Sequence, residues 1–386
     1  MTRMEAPGGA PRRRIARCAG ALLLAQLLAP AIATAQDKGT LNPHPLPPLA
    51  KPDDPATPAK ELFGRKTAPA NLQARTIGFY SKGCLAGAAA LPINGTTWQV
   101  MRLSRNRNWG HPNLIAFLER LAAQAPKTGW HGLLVGDMSQ PRGGPMLTGH
   151  ASHQVGLDAD IWLTPMPDRE LTRQEREEMS ATMVVAEDRR DIDPQVWTPA
   201  HVALIRAAAK DPQVARIFVN AAIKKALCRD AGSDRQWLGK VQPWWGHDYH
   251  FHVRIVCPAD SPECAPQAPR PADDGCGAEL DHWFTEAVLH PRPGPPAKPK
   301  PGPRMPTCPP PAVRCCWSRR PHTRNRSAHF APTQSAVDCR LRWPKPPRLT
   351  PARASSRSCA SSNERCCGSP LGPSITPTMC ARTSTA

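Results

Sequence analysis

Two stretches hold residue types that do acid–base and metal chemistry. Residues 149–162, GHASHQVGLDADIW, carry His150, His153, Asp158 and Asp160, and residues 247–254, HDYHFHVR, carry His247, His250 and His252. His153 stands ahead of a glycine turn at Gly156. Residues 157–162 then alternate apolar with acidic, the pattern of a strand with one polar face, so Asp158 and Asp160 share that face. In the second stretch Phe251, Val253 and Ile255 alternate with His250, His252 and Arg254. A strand there projects both histidines to one side, about 7 Å apart, which suits one ligand and one neighbouring base.

Two imidazoles and one carboxylate make a common catalytic zinc set, because three protein ligands leave the fourth tetrahedral position to water, whose pKa falls to about 7. The remaining strand histidine can then take the proton and return it to a leaving amine, as amide hydrolysis requires. A lone histidine on an apolar strand is more often a hydrogen-bonded core residue. The conjunction of the two stretches argues against that reading here.

His-x6-Asp followed far downstream by His-x-His is also the pattern of the metallopeptidase group that contains lysostaphin, D-Ala-D-Ala carboxypeptidases and the hedgehog signalling domain. Further segments narrow the match: GCLAGA at 83–88, GHP at 110–112, residues 150–161, RIFVN at 216–220, and KVQPWW at 240–245 running on to His252, Val253 and Arg254. On these the chain resembles the penicillin-insensitive murein endopeptidases of Gram-negative bacteria, over residues 76–285.

The resemblance implies that His153, Asp160 and His252 ligate a catalytic Zn2+ and that His250 is the base or an electrostatic helper. His247 would line the cleft and polarise the scissile carbonyl, and Asp158 would support a ligand or be structural. The family has also been described with a further zinc at a subunit interface, which implies a homodimer. Its ligands would match His150, Asp188 and Asp191, and at the last of these this chain has aspartate where the family has histidine. Carboxylate in place of imidazole weakens the preference for zinc. Tyr249, Trp244 and Trp245 could shape a substrate groove, although aromatics flanking a strand are more often core.

The implied activity is hydrolysis of the D-alanyl to meso-diaminopimelyl amide that cross-links murein peptides, so the partners are peptidoglycan cross-link peptides. The chain has no Ser-x-x-Lys to pair with a Lys-Thr-Gly, in keeping with a mechanism that forms no acyl-serine for a β-lactam to trap. Three rivals stand beside this reading. A D,D-carboxypeptidase of the same group would trim a terminal D-alanine and needs an Arg on the terminal carboxylate. A zinc-containing cell-wall-binding module would need the ligands but not His250. A basic polymer binder rests only on the carboxyl-terminal tail.

The elements that must position these residues read as one domain. Residues 98–104, 132–138 and 214–220 read as strands. Residues 113–124, with Leu114, Ile115, Phe117, Leu118 and Leu121 on one stripe behind Pro112, read as an amphipathic helix. Thr198 and Pro199 look like the cap and first turn of a helix through Lys210, and residues 221–228 like a shorter one. Strands mixed with helices, without a GxGxxG or P-loop, predict an α+β domain with a mainly antiparallel sheet and flanking helices.

Export is predicted by four arginines at 12–17, an apolar run at 19–32 and Ala33, Thr34 and Ala35 as a cleavage site, making residues 1–35 a signal peptide and the periplasm the destination. The run is too short to span a bilayer, so no integral membrane segment remains after cleavage. Residues 36–75 read as an extended lead-in and 286–308 as a proline-rich linker. In the globular region Cys84, Cys228, Cys257, Cys264 and Cys276 are five, so a sixth partner is needed. The resemblance pairs Cys228 with Cys276, Cys257 with Cys264, and Cys84 with a cysteine near the carboxyl end, here Cys308.

Residues 309–386 hold twelve Arg, one Lys, two acids and seven of the fourteen cysteines, with no apolar period. They read as a basic tail without a core, in a composition that a shifted frame of GC-rich DNA also gives. The net charge of +19 therefore belongs largely to the two ends, and residues 36–308 retain about +4. A nucleic-acid-binding field on the folded domain is excluded on that ground.

Overall fold

The computed structural model describes residues 46–270, 272–291, 294 and 302–304; the predicted signal peptide, Cys308 and the tail 309–386 lie outside the described residues. From the amino end run helix α1 (Ala59–Phe63) and strands β1 (Arg75–Phe79), β2 (Lys82–Ala86), β3 (Ala89–Ala90), β4 (Asn94–Gly95), β5 (Trp98–Val100) and β6 (Trp109–Gly110). Helix α2 (Pro112–Gln124), β7 (Leu133–Val135), β8 (Asp158–Trp162), α3 (Arg173–Glu178) and α4 (Pro199–Lys210) follow. The rest comprises β9 (Val214–Val219), α5 (Ala221–Asp230), β10 (Val241–Pro243), β11 (His250–Ile255), α6 (Ala278–His282) and α7 (Glu286–Leu289).

Seven strands form one sheet in the order β10-β9-β11-β8-β7-β5-β4. β9 with β10 and β5 with β7 are parallel, and the other neighbours are antiparallel. With its helices this is an α+β domain. The alternation in β11 divides the sheet into two faces. Phe251, Val253 and Ile255 join Ile161, Ile217 and Val219 in a core with Leu114, Phe117 and Leu118 of α2 and Leu204 and Ile205 of α4, all 1% exposed or less. His250, His252 and Arg254 are thereby left to the opposite face.

The helices start where their caps dictate. Pro112 occupies the first turn of α2, and the His111 ring, at the N-cap, accepts from the Asn113 N–H. In α4 His201 takes the place that Glu or Gln fills in a capping box, bonding back to Thr198, and it packs flat on Trp197. Asn220 caps α5 through the Ala222 N–H.

The predicted strand 98–104 is shorter than its apolar pattern. It ends at Val100, Arg102 adopts a left-handed φ of 54°, and Leu103–Arg105 coils as a 3-10 turn. The Arg102 guanidinium donates to the carbonyls of Arg176, Glu177 and Met179 at the end of α3, and this tertiary contact draws the chain off the sheet. The lead-in segment contains α1, whose Ala59, Leu62 and Phe63 are buried. The proline-rich stretch returns to meet it: Ala59 N–H donates to the Pro303 carbonyl at 2.8 Å.

Disulfides join Cys228 to Cys276 and Cys257 to Cys264, each with Cα atoms 5.8 Å apart. Cys84 is buried and disulfide-bonded.

Candidate active site

The two motif strands are neighbours, and their register builds the site. His252 of β11 stands opposite Asp160 of β8 on one side and Phe218 of β9 on the other; Phe218 in turn stands opposite Gln242 of β10. Paired residues point to the same face, so a single row crosses four strands as Asp160, His252, Phe218 and Gln242. His250, two residues from His252, shares that face. The loop before β8 brings His150 and His153 over it.

Asp160 is the hub. Its Oδ1 lies 3.3 Å from His153 Nε2, 3.2 Å from His252 Nδ1 and 3.7 Å from His250 Nε2, and its Oδ2 lies 3.5 Å from His150 Nδ1. The His153 ring is 4.3 Å from that of His150 and 4.5 Å from that of His252. His247 stacks at a tilt on His250, with centroids 4.8 Å apart. His153 and His247 both have left-handed backbones, with φ of 64° and 59°. Such conformations cost a non-glycine residue about 1–3 kcal/mol and cluster at sites where geometry matters more than ease. Gly156 has φ of 72°, and a Cβ there would meet Leu85 Cδ2 at 2.4 Å, so the turn that delivers His153 requires glycine.

The residues fit a metal ion. Both ring nitrogens of His153, Asp160 Oδ1 and His250 Nδ1 are buried with no hydrogen-bond partner among the described residues, which a settled polar core rarely tolerates. Ligand atoms about 2.0–2.1 Å from a tetrahedral zinc stand about 3.3 Å from each other, the spacing seen around Asp160 Oδ1. His150, His153 and Asp160 form a cluster whose ligand atoms lie within 4.8 Å of one another.

Asp158 acts on the site from behind. Its Oδ1 is 3.2 Å from His252 Nε2 and accepts from Arg254 Nε at 2.8 Å, while its Oδ2 accepts the His153 backbone N–H at 3.0 Å. A carboxylate facing Nε2 supports a proton there, which would leave Nδ1 as the nitrogen for a bound ion. Arg254 in turn lies over the Tyr80 ring, 4.0 Å from its centroid.

Charge and burial set the protonation states. Burial opposes ionisation of Asp160, yet His153, His250 and His150 hold it well below the usual carboxylate range. Burial opposes Asp158 likewise, and Arg254 and His252 reverse the effect. Burial pushes His153 down to about 4 and His247 down to about 3, and it lowers His250. Burial also disfavours the charged His252, but the facing Asp158 and Asp160 outweigh it and raise the ring to about 9. His247 Nδ1 lies 2.8 Å from the Trp245 carbonyl. A carbonyl only accepts, so the proton is on Nδ1 and Nε2 carries the lone pair.

The sequence reading missed Asp137, Arg105 and Arg107. Buried Asp137 lies beyond the end of β7 and takes 2.8 Å and 3.1 Å ion pairs from Arg107 and Arg105, and its Oδ2 is 2.9 Å from His150 Nε2. Burial works against its charge, but the His150 bond and the two guanidiniums hold its carboxyl far below the ordinary range. Burial lowers His150, and Asp160 and Asp137 raise it overall. The only signal available in sequence was an aspartate at the end of an apolar strand.

His150 therefore borders the same centre as His153. Asp191 is engaged elsewhere: its carboxylate accepts from Arg229 at 3.2 Å and the Ile192 N–H at 2.8 Å, and Lys225 Nζ lies 3.1 Å away. Asp188 Oδ1 accepts the Arg190 N–H. Trp244 and Trp245 are 54% and 50% exposed, which removes the core reading of these two aromatics.

The comparisons with known proteins agree with one another. The profile of a family described as penicillin-insensitive murein endopeptidase matches residues 76–316. A penicillin-insensitive murein endopeptidase of Haemophilus influenzae is 51% identical over 224 residues, 58% of this chain and 76% of that protein. One of Klebsiella pneumoniae is 48% identical over 255 residues, 66% of this chain and 90% of the relative, and one of Yersinia pestis is 45% identical over 261 residues, 68% and 89%.

Proposed function

The chain belongs to the penicillin-insensitive murein endopeptidase family, and on that footing we propose that it is a periplasmic zinc-dependent hydrolase of the D-alanyl to meso-diaminopimelyl cross-links of peptidoglycan, insensitive to penicillin. The observation that carries the reading is the convergence of His153, His252 and His250 nitrogens on one buried carboxylate oxygen that has no hydrogen-bond donor among the described residues.

His153, Asp160 and His252 would hold the ion. Bound zinc would supply Lewis-acid polarisation of the scissile carbonyl and lower the pKa of a water to about 7. Each remaining residue then has a part that its own surroundings define. Asp158 orients His252. His250, kept neutral by burial and with Nδ1 unpartnered, can accept a proton and return it to the departing amine. His247 presents an accepting Nε2, so in this state it orients a donor such as a substrate N–H, which differs from the carbonyl-polarising part expected for it. His150 is held between Asp137 and Asp160, whose carboxylates support its charged form in the metal-free site. We place no second ion on Asp191, whose charge Arg229 and Lys225 already neutralise.

The test is digestion of purified cross-linked muropeptide dimers by the mature chain, with and without a chelator, followed by chromatography and mass spectrometry. Conversion to monomers that a chelator stops and penicillin does not is the expected result. Loss of a terminal D-alanine alone would make the protein a carboxypeptidase, and an intact dimer with zinc bound would make it a binding module.

A further inference from the structure

The row Asp160, His252, Phe218 and Gln242 ends at a cavity of about 160 Å³. Neighbouring strands are about 4.8 Å apart, so Gln242 stands about 10 Å from His252. Trp244, Trp283, Asp273, Glu279 and Leu280 are among the residues that line the cavity. The Trp244 ring meets Phe218 at 5.8 Å and Phe218 meets His252 at 5.4 Å, so an aromatic floor links the cavity to the active site. Among the described residues neither Asp273 nor Glu279 enters an ion pair, although the buried Lys224 ammonium, bonded to the Leu238 and Asp274 carbonyls, lies beside Gly275 and within electrostatic reach of Asp273. Asp273 Oδ1 accepts the Gly275 backbone N–H, and the Glu279 carboxylate makes no hydrogen bond.

Two tryptophans beside two carboxylates that enter no ion pair among the described residues suit an organic ammonium, through cation–π attraction and charge-assisted hydrogen bonds. The cross-link presents one such group. When sugars cap the amino ends of the peptides, a cross-linked dimer keeps a single free amine, on the side chain of the diaminopimelate that precedes the cleaved D-alanine. The equivalent amine of the other strand is consumed in the cross-link itself. One extended residue of about 3.5 Å plus a side chain of about 6 Å matches the distance between the row's ends.

We propose that this cavity is the subsite for the free side-chain ammonium of that diaminopimelate, so the protein selects cross-links by a positive charge on the donor peptide as well as by the scissile amide. The inference rests on the endopeptidase reading for the identity of its ligand.

The full mature chain is assayed on muropeptide dimers with the amine free or acetylated. Acetylation is expected to raise KM about tenfold with little change in kcat. Glu279→Gln and Asp273→Asn are expected to raise KM for the native dimer and leave that for the acetylated dimer unchanged. Equal KM for both dimers with the unmutated chain overturns the proposal. A binding arm separates this from failure of the parent reading: muramyl tripeptide ending in diaminopimelate, which is not a substrate, is titrated against tryptophan fluorescence. Saturable quenching that is lost on acetylation and in Glu279→Gln supports the subsite even if no dimer is cut. Quenching by N-acetylglucosamine oligomers and not by the tripeptide assigns the cavity to sugar and overturns it.

Discussion

At His252 two carboxylates divide one ring: Asp160 faces Nδ1 and Asp158 faces Nε2. Removing the rear partner by Asp158→Asn is expected to lower zinc affinity about 10–100-fold while the ligands stay, because outer partners fix tautomer and ring orientation. Competition with a chromophoric chelator measures it, and unchanged affinity would reduce Asp158 to a structural anchor for Arg254 and the His153 loop. The ligand and the base separate in the same way. His153→Ala is expected to lose both zinc and activity. His250→Ala is expected to keep one zinc per chain and lose about 10²–10⁴-fold in turnover, the usual scale of a positioned acid–base group. Metal analysis beside initial rates distinguishes them; a fully active His250→Ala would remove His250 from its role.

β11 does two jobs through its period of two: one set of side chains enters the core and the other forms the site, so stability and function are carried by alternate residues of one element. The elements around it are tied by bonds of unequal reach. Cys228–Cys276 closes a separation of 48 residues and anchors the segment before α6 to α5, whereas Cys257–Cys264 closes one of 7. Chain entropy then assigns the larger stabilisation to the first, about 3–4 kcal/mol. Replacing both Cys228 and Cys276 by Ser is expected to lower the denaturation midpoint more than the same change at Cys257 and Cys264. Equal losses would show that native-state contacts, not chain entropy, dominate.

For the whole molecule the site is also a liability to acid. In the metal-free protein His153 and His247 have pKa values of about 4 and about 3, below the unfolded value near 6.5. Between those values the unfolded chain binds more protons, so stability is expected to fall as pH drops from about 6.5 toward 4. Asp137, held low in its ion pairs, adds a contribution that is complete above the unfolded carboxylate range and lost below it. Urea midpoints of the chelated protein at pH 6.5 and 4.5 check this, and a flat profile would contradict the assigned neutral histidines. Zinc is expected to steepen the profile, since protons and metal compete for the same lone pairs. At the carboxyl end, the family match stops at residue 316. A chain ended there is expected to keep full muropeptide cleavage and midpoint, and loss of either would give residues 317–386 a part in the fold.

Local order carried much of this far. The alternation of 250–255 and of 157–162 announced two strands with a polar face each, and Pro112 and Thr198 announced helix starts, because period and capping act between residues a few positions apart. His-x6-Asp and His-x-His were legible for the same reason, since each lies within one strand or one turn. Register was not. That His252 stands opposite Asp160 depends on how two strands distant in sequence slide past each other, which core packing on the far face decides. The same non-local packing bent the chain at Arg102, folded α1 against Pro303, and brought Asp137 and its arginines behind His150. A buried carboxylate announces itself by its partners, and those partners are contributed by segments that only the folded chain puts side by side.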